Sequence, residues 1–243
     1  MSEARPLGSA SYSTERSLTV GSDTSAAKAF TFAPDMVRDG IPFVLVPLFV
    51  GVIAAVMGVW LIWFWVVALL LFLLAAFMGY FFRNPRRSIP LEPGVVVAPA
   101  DGRVTIARQG TPEHPESLVS IFLSPLDVHV NRAPIEGEIA DISYKKGQFL
   151  MATRDESRLL NEQNTLTIVG AEVTVKCVQI AGVLARRIVC WKRRGERVKC
   201  GELFGMIKFG SRTDVLMPSI VEIAVTEGMH VRGGETIIGR VKN

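Results

Sequence analysis

The chain has 243 residues, of which 49% are hydrophobic, and it carries a formal net charge of +4. A mean hydropathy of +0.32 argues against a wholly soluble protein and indicates that part of the apolar content contacts lipid. Three cysteines without a CxxC spacing predict neither a disulfide framework nor a zinc site, and they favour a reducing compartment.

The N-terminal third is predicted to be a polar tail followed by a membrane anchor. Residues 1–34, rich in Ser, Thr and Ala, are predicted to be disordered and do not resemble a signal peptide. The predicted anchor is 35–88, and within it 41–82 are 42 residues without a charge. One helix of that length would be ~63 Å long, about twice the ~30 Å hydrocarbon core. Two transmembrane helices with a turn near 58–60 are therefore predicted, and one tilted span plus an interfacial helix is the alternative.

Basic residues flank the apolar segment, with Arg38 before it and Arg83, Arg86 and Arg87 after it. A hairpin returns both ends to one side, which the positive-inside rule places on the cytoplasmic face of the cell (inner) membrane. The first 40 residues carry four basic and five acidic side chains, so the remainder carries +5. This remainder should prefer anionic surfaces such as phospholipid headgroups.

Residues 89–243 are predicted to form a mainly β domain. Short apolar alternations separated by Gly, Pro and Asp indicate an antiparallel β barrel or sandwich. The candidate strands are 95–98, 103–107, 118–122, 172–180, 184–189, 203–209, 220–225 and 236–241. Only 154–162 is predicted to be helical.

A Gly-Ser pair, Gly210-Ser211, lies among apolar residues near the C-terminus. A serine can attack the carbonyl of the preceding residue and turn the peptide bond into an ester, and glycine tolerates the backbone conformation that this requires. Elimination and hydrolysis would then leave a pyruvoyl group. Its carbonyl can form a Schiff base with an amine and accept electrons when CO₂ leaves. A β-bulge or a turn is the structural alternative.

Five motifs follow one another along the chain: GYFFRNPRRSIP (79–90), APADGRV (98–104), FLSPLDVHVNRAPIEG (122–137), IAGVLARRIVCW (180–191) and GMIKFGSRTDV (205–215). Together they resemble the short form of the phosphatidylserine decarboxylase proenzymes, which are pyruvoyl-dependent. The resemblance implies self-cleavage between Gly210 and Ser211 into a β chain (1–210) and an α chain (211–243), held together as a heterodimer. It also implies conversion of phosphatidylserine to phosphatidylethanolamine and CO₂ through a Schiff base on the Ser211-derived pyruvoyl cofactor.

The same resemblance assigns the other site residues. It implies that His129 protonates Cα after CO₂ leaves, and that Asp101 helps to activate the Ser211 hydroxyl, directly or through a neighbour. Longer relatives carry a second histidine where this chain has Arg132, which cannot be a base near neutral pH. Either Asp101 works with His129, or the processing geometry differs. Arg132 is instead predicted to bind the substrate's carboxylate or phosphate, with Asn131 and Arg83 as further substrate-binding residues. No metal is predicted.

Several alternatives remain open from the sequence. The run 186–199, with seven basic residues and one acidic residue, is either a solvated hairpin or a patch that attracts anionic lipid. Nucleic acid is not predicted as a partner, because no recognition motif accompanies the charge.

One alternative function is a related enzyme acting on another serine-headgroup lipid, such as an archaetidylserine, which has the same headgroup chemistry. A membrane-tethered, non-catalytic binding barrel belongs to a different class. A higher oligomer is possible.

Overall fold

The computed structural model describes residues 36–150, 156–182, 187–208 and 211–242, and every structural statement below concerns these residues. The predicted tail at 1–34 and Gly210 of the predicted cleavage site both lie outside this set. The description begins with a 3-10 turn at Arg38–Gly40, just before the apolar segment.

Two apolar helices follow this turn. Helix α1 spans Ile41–Met57 and α2 spans Trp63–Phe81, and both are long and apolar enough to cross a membrane. At 1.5 Å per residue they are about 26 and 29 Å long, close to the thickness of the hydrocarbon core. Gly58 ends α1, and a turn leads into α2 close to the predicted position.

The two outer ends of these helices meet. Met36 forms an isolated antiparallel bridge with Arg83, and the Val37 N–H donates to the Phe82 carbonyl at 3.1 Å. The helices therefore form a hairpin whose two ends lie on the same side, where the chain enters the β domain.

The rest of the chain forms antiparallel strands and one short helix. The strands are β1 (Val95–Val97), β2 (Gly102–Arg108), β3 (Glu116–Leu123), β4 (Val130–Arg132), β5 (Gly137–Lys145), β6 (Gln163–Val169), β7 (Thr174–Ala181), β8 (Ile188–Cys190), β9 (Arg197–Val198), β10 (Leu203–Ile207), β11 (Ser211–Pro218), β12 (Val221–Ile223), β13 (His230–Val231) and β14 (Ile237–Val241). The helix is α3 (Ser157–Leu160), which lies within the predicted helical segment.

These strands form three sheets. The largest has eight strands in the order β13-β2-β3-β11-β7-β6-β5-β9, and the smaller ones have the orders β1-β14-β12 and β4-β10-β8. The mainly β, antiparallel prediction is confirmed. The edge strands of the large sheet are β13 and β9, each two residues long. Within the described residues these two strands do not pair with each other, so the sheet is open. The structure therefore has no closed barrel.

Two apolar clusters hold this arrangement together. The larger one covers one face of the eight-stranded sheet and includes Val119, Ile121 and Val215. The second one joins the hairpin to the domain, because Phe81 and Phe82 at the end of α2 pack with residues of β4 and β10. Both phenylalanines are fully buried, and each contributes roughly 1.5–3 kcal/mol of burial free energy.

Gly102 permits the close approach of β2 to β3. Its φ is 150°, and a Cβ at this position would overlap the Phe122 carbonyl oxygen. We expect Gly102→Ala to lower the free energy of unfolding by ~2 kcal/mol or more, because backbone strain and a clash act together. Thermal unfolding of the detergent-solubilised full chain, followed by circular dichroism, measures this.

Gly228→Ala is the matched control for this substitution. Gly228 also has a positive φ, 87°, but no atom lies within 4 Å of a Cβ built there. It should lose only the strain contribution, about 1 kcal/mol. Equal losses in the two variants would contradict the role of the close approach to β3.

Candidate active site

Ser211 is the first residue of β11, a strand that is hydrogen-bonded on both sides. It lies opposite Leu123 of β3 and Ala181 of β7. It is fully buried, and its Oγ has no hydrogen-bond partner among the described residues. Burying a hydroxyl without a hydrogen-bond partner lowers the free energy of unfolding by roughly 1–3 kcal/mol. Such a group is therefore a candidate for a functional role.

His129 lies close to the same region of the fold. Its backbone carbonyl accepts a hydrogen bond from the N–H of Ile207, four residues before Ser211, at 3.3 Å. The side chain is buried, and the centroids of its ring and the Phe81 ring are 4.1 Å apart. Like the Ser211 Oγ, its Nε2 has no partner in the described part of the chain. Two buried reactive atoms without partners therefore belong to adjoining segments.

The protonation state of His129 follows from its surroundings. Its Nδ1 lies 2.9 Å from the Asp127 carbonyl oxygen, which can only accept, so Nδ1 carries the proton. Burial lowers the pKa of His129 to about 4, with a smaller effect in the same direction from the Arg83 guanidinium. At neutral pH the ring is uncharged, and its Nε2 has a lone pair that can accept a proton.

Asp101 is engaged by other groups. Both of its carboxylate oxygens accept from Arg87 Nη2, at 2.8 and 2.7 Å, and Oδ1 also accepts from the Gly233 N–H at 2.8 Å. Because β3 separates β2 from β11, Asp101 lies two strand spacings, about 10 Å, from the start of β11. No hydrogen bond in the described chain joins Asp101 to the Ser211 hydroxyl or to the His129 ring.

Arg132 holds the linker that leaves α2 against the domain. Its Nη1 donates to the Gly201 carbonyl at 3.0 Å, and its Nη2 donates to the Pro85 carbonyl at 3.2 Å and to Asn84 Oδ1. Burial, with the neighbouring Arg87 second, lowers the pKa of Arg132 to about 10, so it remains charged at neutral pH. Both Nη groups are therefore occupied by acceptors of the protein itself.

Asn131 belongs to a buried chain of polar side chains. Its Oδ1 accepts from Gln179 Nε2 at 2.8 Å, and its Nδ2 donates to Thr213 Oγ1 at 3.2 Å. Gln179 Oε1 in turn accepts from Asn164 Nδ2 at 2.9 Å. Thr213 and Ser211 are two residues apart in β11 and face the same way. These hydrogen bonds therefore hold in place the face of β11 that carries Ser211.

Arg83 lies at the base of the hairpin, partly exposed. Its Nη2 donates to the Leu126 carbonyl and its Nη1 to the Tyr80 carbonyl, both at 2.8 Å, and its guanidinium lies 3.7 Å from the centre of the Tyr80 ring. Arg83 is also near enough to His129 to affect its pKa. It is thus a partly exposed cation beside the buried histidine.

The other face of β11 carries a buried ion pair that the sequence analysis did not predict. Arg212 Nε donates to Asp214 Oδ1 at 2.7 Å, and its Nη2 donates to Ser120 Oγ at 2.8 Å. Arg158 of α3 donates to the second oxygen of Asp214 at 2.9 Å. The four successive polar residues 211–214 are all buried, and their residue types alone would predict exposure.

The structure therefore divides the predicted site residues into two groups. Ser211, His129, Asn131 and Arg83 lie around the start of β11 and the base of the hairpin. Asp101 is bound by Arg87, and the linker that contains Arg87 is also held by Arg132. Thr213, Gln179 and Phe81 join the first group, and the sequence analysis missed all three.

Comparison with known proteins identifies the family of this chain. Residues 74–239 match the protein-family model described as "Phosphatidylserine decarboxylase". The phosphatidylserine decarboxylase proenzyme of Solibacter usitatus is 51% identical over 173 residues, which cover 71% of this chain and 83% of the relative. The proenzyme of the same name from Carboxydothermus hydrogenoformans is 41% identical over 212 residues, which cover 85% of this chain and 97% of the relative.

The buried state of His129 predicts a pH-dependent stability. Its pKa is about 4 when folded and 6.5 when exposed, so the unfolded chain binds more protons between these values. The free energy of unfolding therefore falls as the pH falls through this window, by up to about 3 kcal/mol from this group. His129→Gln should remove that contribution. Melting temperatures at pH 7 and pH 4.5, in a Ser211→Ala background that keeps every sample uncut, measure the difference.

The control for this measurement is His114→Gln, which replaces an exposed histidine. It should keep the full wild-type loss of stability between the two pH values. A His129→Gln variant that loses as much stability as the wild type would show that His129 is not buried in its neutral form.

Proposed function

Because the chain belongs to the phosphatidylserine decarboxylase family and is a carboxy-lyase, we propose that it converts phosphatidylserine to phosphatidylethanolamine and CO₂ with a pyruvoyl group made from its own Ser211. The observation that carries this proposal is the buried Ser211 Oγ, which has no hydrogen-bond partner among the described residues and belongs to the first residue of a central strand. An ordinary turn or bulge serine would be solvated or hydrogen-bonded to the backbone.

Self-cleavage is proposed to start from the neutral form of His129. Its Nε2 accepts the hydroxyl proton while Ser211 Oγ attacks the Gly210 carbonyl, so that the C–N bond breaks and an ester with a free amine forms. Loss of the Ser211 α-proton then breaks the Cβ–O bond and releases Gly210 as a carboxylate. The remaining dehydroalanine takes up water, loses ammonia and becomes the pyruvoyl end of the α chain.

The start of β11 fits this prosthetic group. Ser211 is enclosed, its neighbour Thr213 is fixed by Asn131, and β3 and β7 hold the strand from both sides. The pyruvoyl group supplies a carbonyl that binds the substrate amine and takes up the electron pair left by CO₂. His129, once protonated by the substrate's ammonium, is proposed to return that proton to Cα.

Arg83 is the cation that we assign first to the substrate's phosphate or carboxylate, because its guanidinium is partly exposed beside His129. Asn131 and Arg132 remain proposed substrate-binding residues, and their contacts indicate that they act mainly by positioning β11 and the linker. Asp101 is proposed to assist self-cleavage from a distance, through Arg87 and the loop at Gly233.

The proposed cut leaves the α chain well held. Described residues 211–242 supply β11 and β13 to the large sheet, and β12 and β14 to the sheet that contains β1. The two chains therefore share hydrogen bonds in two sheets and would remain together as a heterodimer. The hairpin is compatible with membrane association, and its basic flanks support a position on the cytoplasmic face of the inner membrane, beside the lipid substrate.

Intact-mass analysis tests the self-made cofactor. The purified wild type should contain a fragment of residues 211–243 that is lighter by one ammonia than the serine-terminated peptide, and Ser211→Ala should stay a single chain. CO₂ release from phosphatidylserine in detergent should be lost in the same variant. An uncut wild-type chain that releases CO₂ would overturn the mechanism. A faster reaction on an archaetidylserine would change only the assigned lipid backbone.

His129 is tested by the rate of self-cleavage after cell-free synthesis. His129→Gln should slow the appearance of the 211–243 fragment by ~10²–10⁴-fold, because a positioned base is lost. The wild-type rate should be constant from pH 7 to pH 5 and should decline as the pH approaches about 4, where Nε2 becomes protonated. His114→Gln, at an exposed histidine, is the control. A wild-type midpoint near pH 6.5 would contradict the assignment of the buried ring.

A further inference from the structure

Five neighbouring strands of the large sheet, β3, β11, β7, β6 and β5, begin or end side by side. The line of these strand ends forms one edge of the sheet, perpendicular to its edge strands. Lys145 at the end of β5 lies opposite Gln163 at the start of β6, and Ala181 at the end of β7 lies opposite Ser211. Ser211 in turn lies opposite Leu123 at the end of β3. This edge therefore carries Ser211, and from β3 to β5 it extends over four strand spacings, about 19 Å.

The helical hairpin is attached at one side of this edge. Leu126, in the loop after β3, accepts a hydrogen bond from Arg83 at the end of α2. Lys208, just before β11, lies with its Nζ 5.0 Å from the centre of the Phe43 ring in α1. The base of the hairpin is thus adjacent to β3 and β11.

The other side of the edge exposes large apolar side chains. We use the term apolar rim for Tyr144, Phe149, Leu159 and Leu160, which are 53%, 38%, 71% and 46% exposed. Two exposed lysines, Lys145 and Lys146, lie beside them in the sequence. Large apolar groups interleaved with lysines are typical of surfaces that bind the interface of an anionic membrane.

Hydrogen bonds to its backbone carbonyls hold the apolar rim in place. The Lys145 Nζ donates to the Leu159 carbonyl at 2.9 Å, and the Gln148 N–H donates to the Leu160 carbonyl at 2.6 Å. Asn161 extends this anchoring to the neighbouring strand, because its Nδ2 donates to the Ala181 carbonyl at 2.7 Å. The exposure of Leu159 and Leu160 is therefore a fixed feature of this edge.

We propose that the apolar rim docks on the anionic surface of the same bilayer that contains α1 and α2. The hairpin base and the apolar rim flank Ser211 along one edge, so a flat surface that touches both lies directly over the start of β11. A bilayer meets this geometry because the hairpin already brings it to one of the two contact points. The proposal requires the hairpin to be in a bilayer and does not depend on decarboxylation.

Spin labels on the full chain in nanodiscs test this contact. Leu159→Cys is labelled at the apolar rim, and Ile220→Cys, which follows the opposite end of β11 and is 49% exposed, is the matched control. Burial raises the pKa of the Cys200 thiol to about 11 and also raises the pKa values of Cys177 and Cys190. These native thiols should react slowly, and a labelled wild-type sample measures their background.

The measurement is the relative collision rate of each label with oxygen, which partitions into lipid, and with a water-soluble nickel chelate. In nanodiscs containing phosphatidylglycerol, the label at 159 should favour oxygen several-fold over the label at 220. Lys146→Ala, which leaves the Lys145 hydrogen bond to Leu159 intact, should reduce this preference. Equal nickel accessibility at 159 and 220 would overturn the proposal. Protection of 159 from both reagents would also overturn it, since it would indicate a protein contact such as a second copy.

Discussion

The hydrogen-bond ladder that holds β11 between β3 and β7 is the interaction on which the rest of the structure depends. It fixes Ser211 at the first position of a strand that cannot move without breaking both neighbouring ladders. Because both faces of β11 are covered, each polar side chain along its first half needs a partner inside the protein. Arg212 and Asp214 satisfy each other on one face, and Thr213 is bound by Asn131 on the other. Ser211 Oγ is the exception, since it has no hydrogen-bond partner in the described part of the chain.

The same exclusion of water determines the chemistry of His129. The Phe81 ring covers the imidazole, and the resulting burial lowers its pKa and keeps Nε2 unprotonated. A solvated histidine would be partly protonated near neutral pH, whereas the buried ring is essentially all neutral, although its lowered pKa also makes it a weaker base. The carbonyl of Asp127 completes the arrangement by fixing the tautomer. A neutral ring with a fixed tautomer is what the proposed role of His129 as a proton acceptor requires.

The sequence predicted the features that are encoded locally. The hairpin followed from an uncharged stretch too long for one span, and most of the apolar strands followed from their alternation. It did not predict β4, β5, β6, β9 or β13, nor the partners of Asp101 and Arg132, because these depend on residues brought together only by the fold. The Gly-Ser pair and its neighbouring motif identified Ser211, but no sequence period shows that Gln179 of the adjacent strand β7 and Asn131 of a different sheet together support β11.

The position of Phe81 gives the helical hairpin a structural role besides its proposed membrane tethering. Phe81 belongs both to α2 and to the apolar cluster that includes Val128 and Val130, the two neighbours of His129 in the chain. The uncharged segment sets the length of the hairpin. Phe81, near the end of that segment, also packs against His129 in the candidate site. If α2 were removed, His129 would lose the ring that covers it, and its pKa would rise towards that of an exposed histidine. The hairpin and the proposed chemistry are thus physically coupled through the contact between Phe81 and His129.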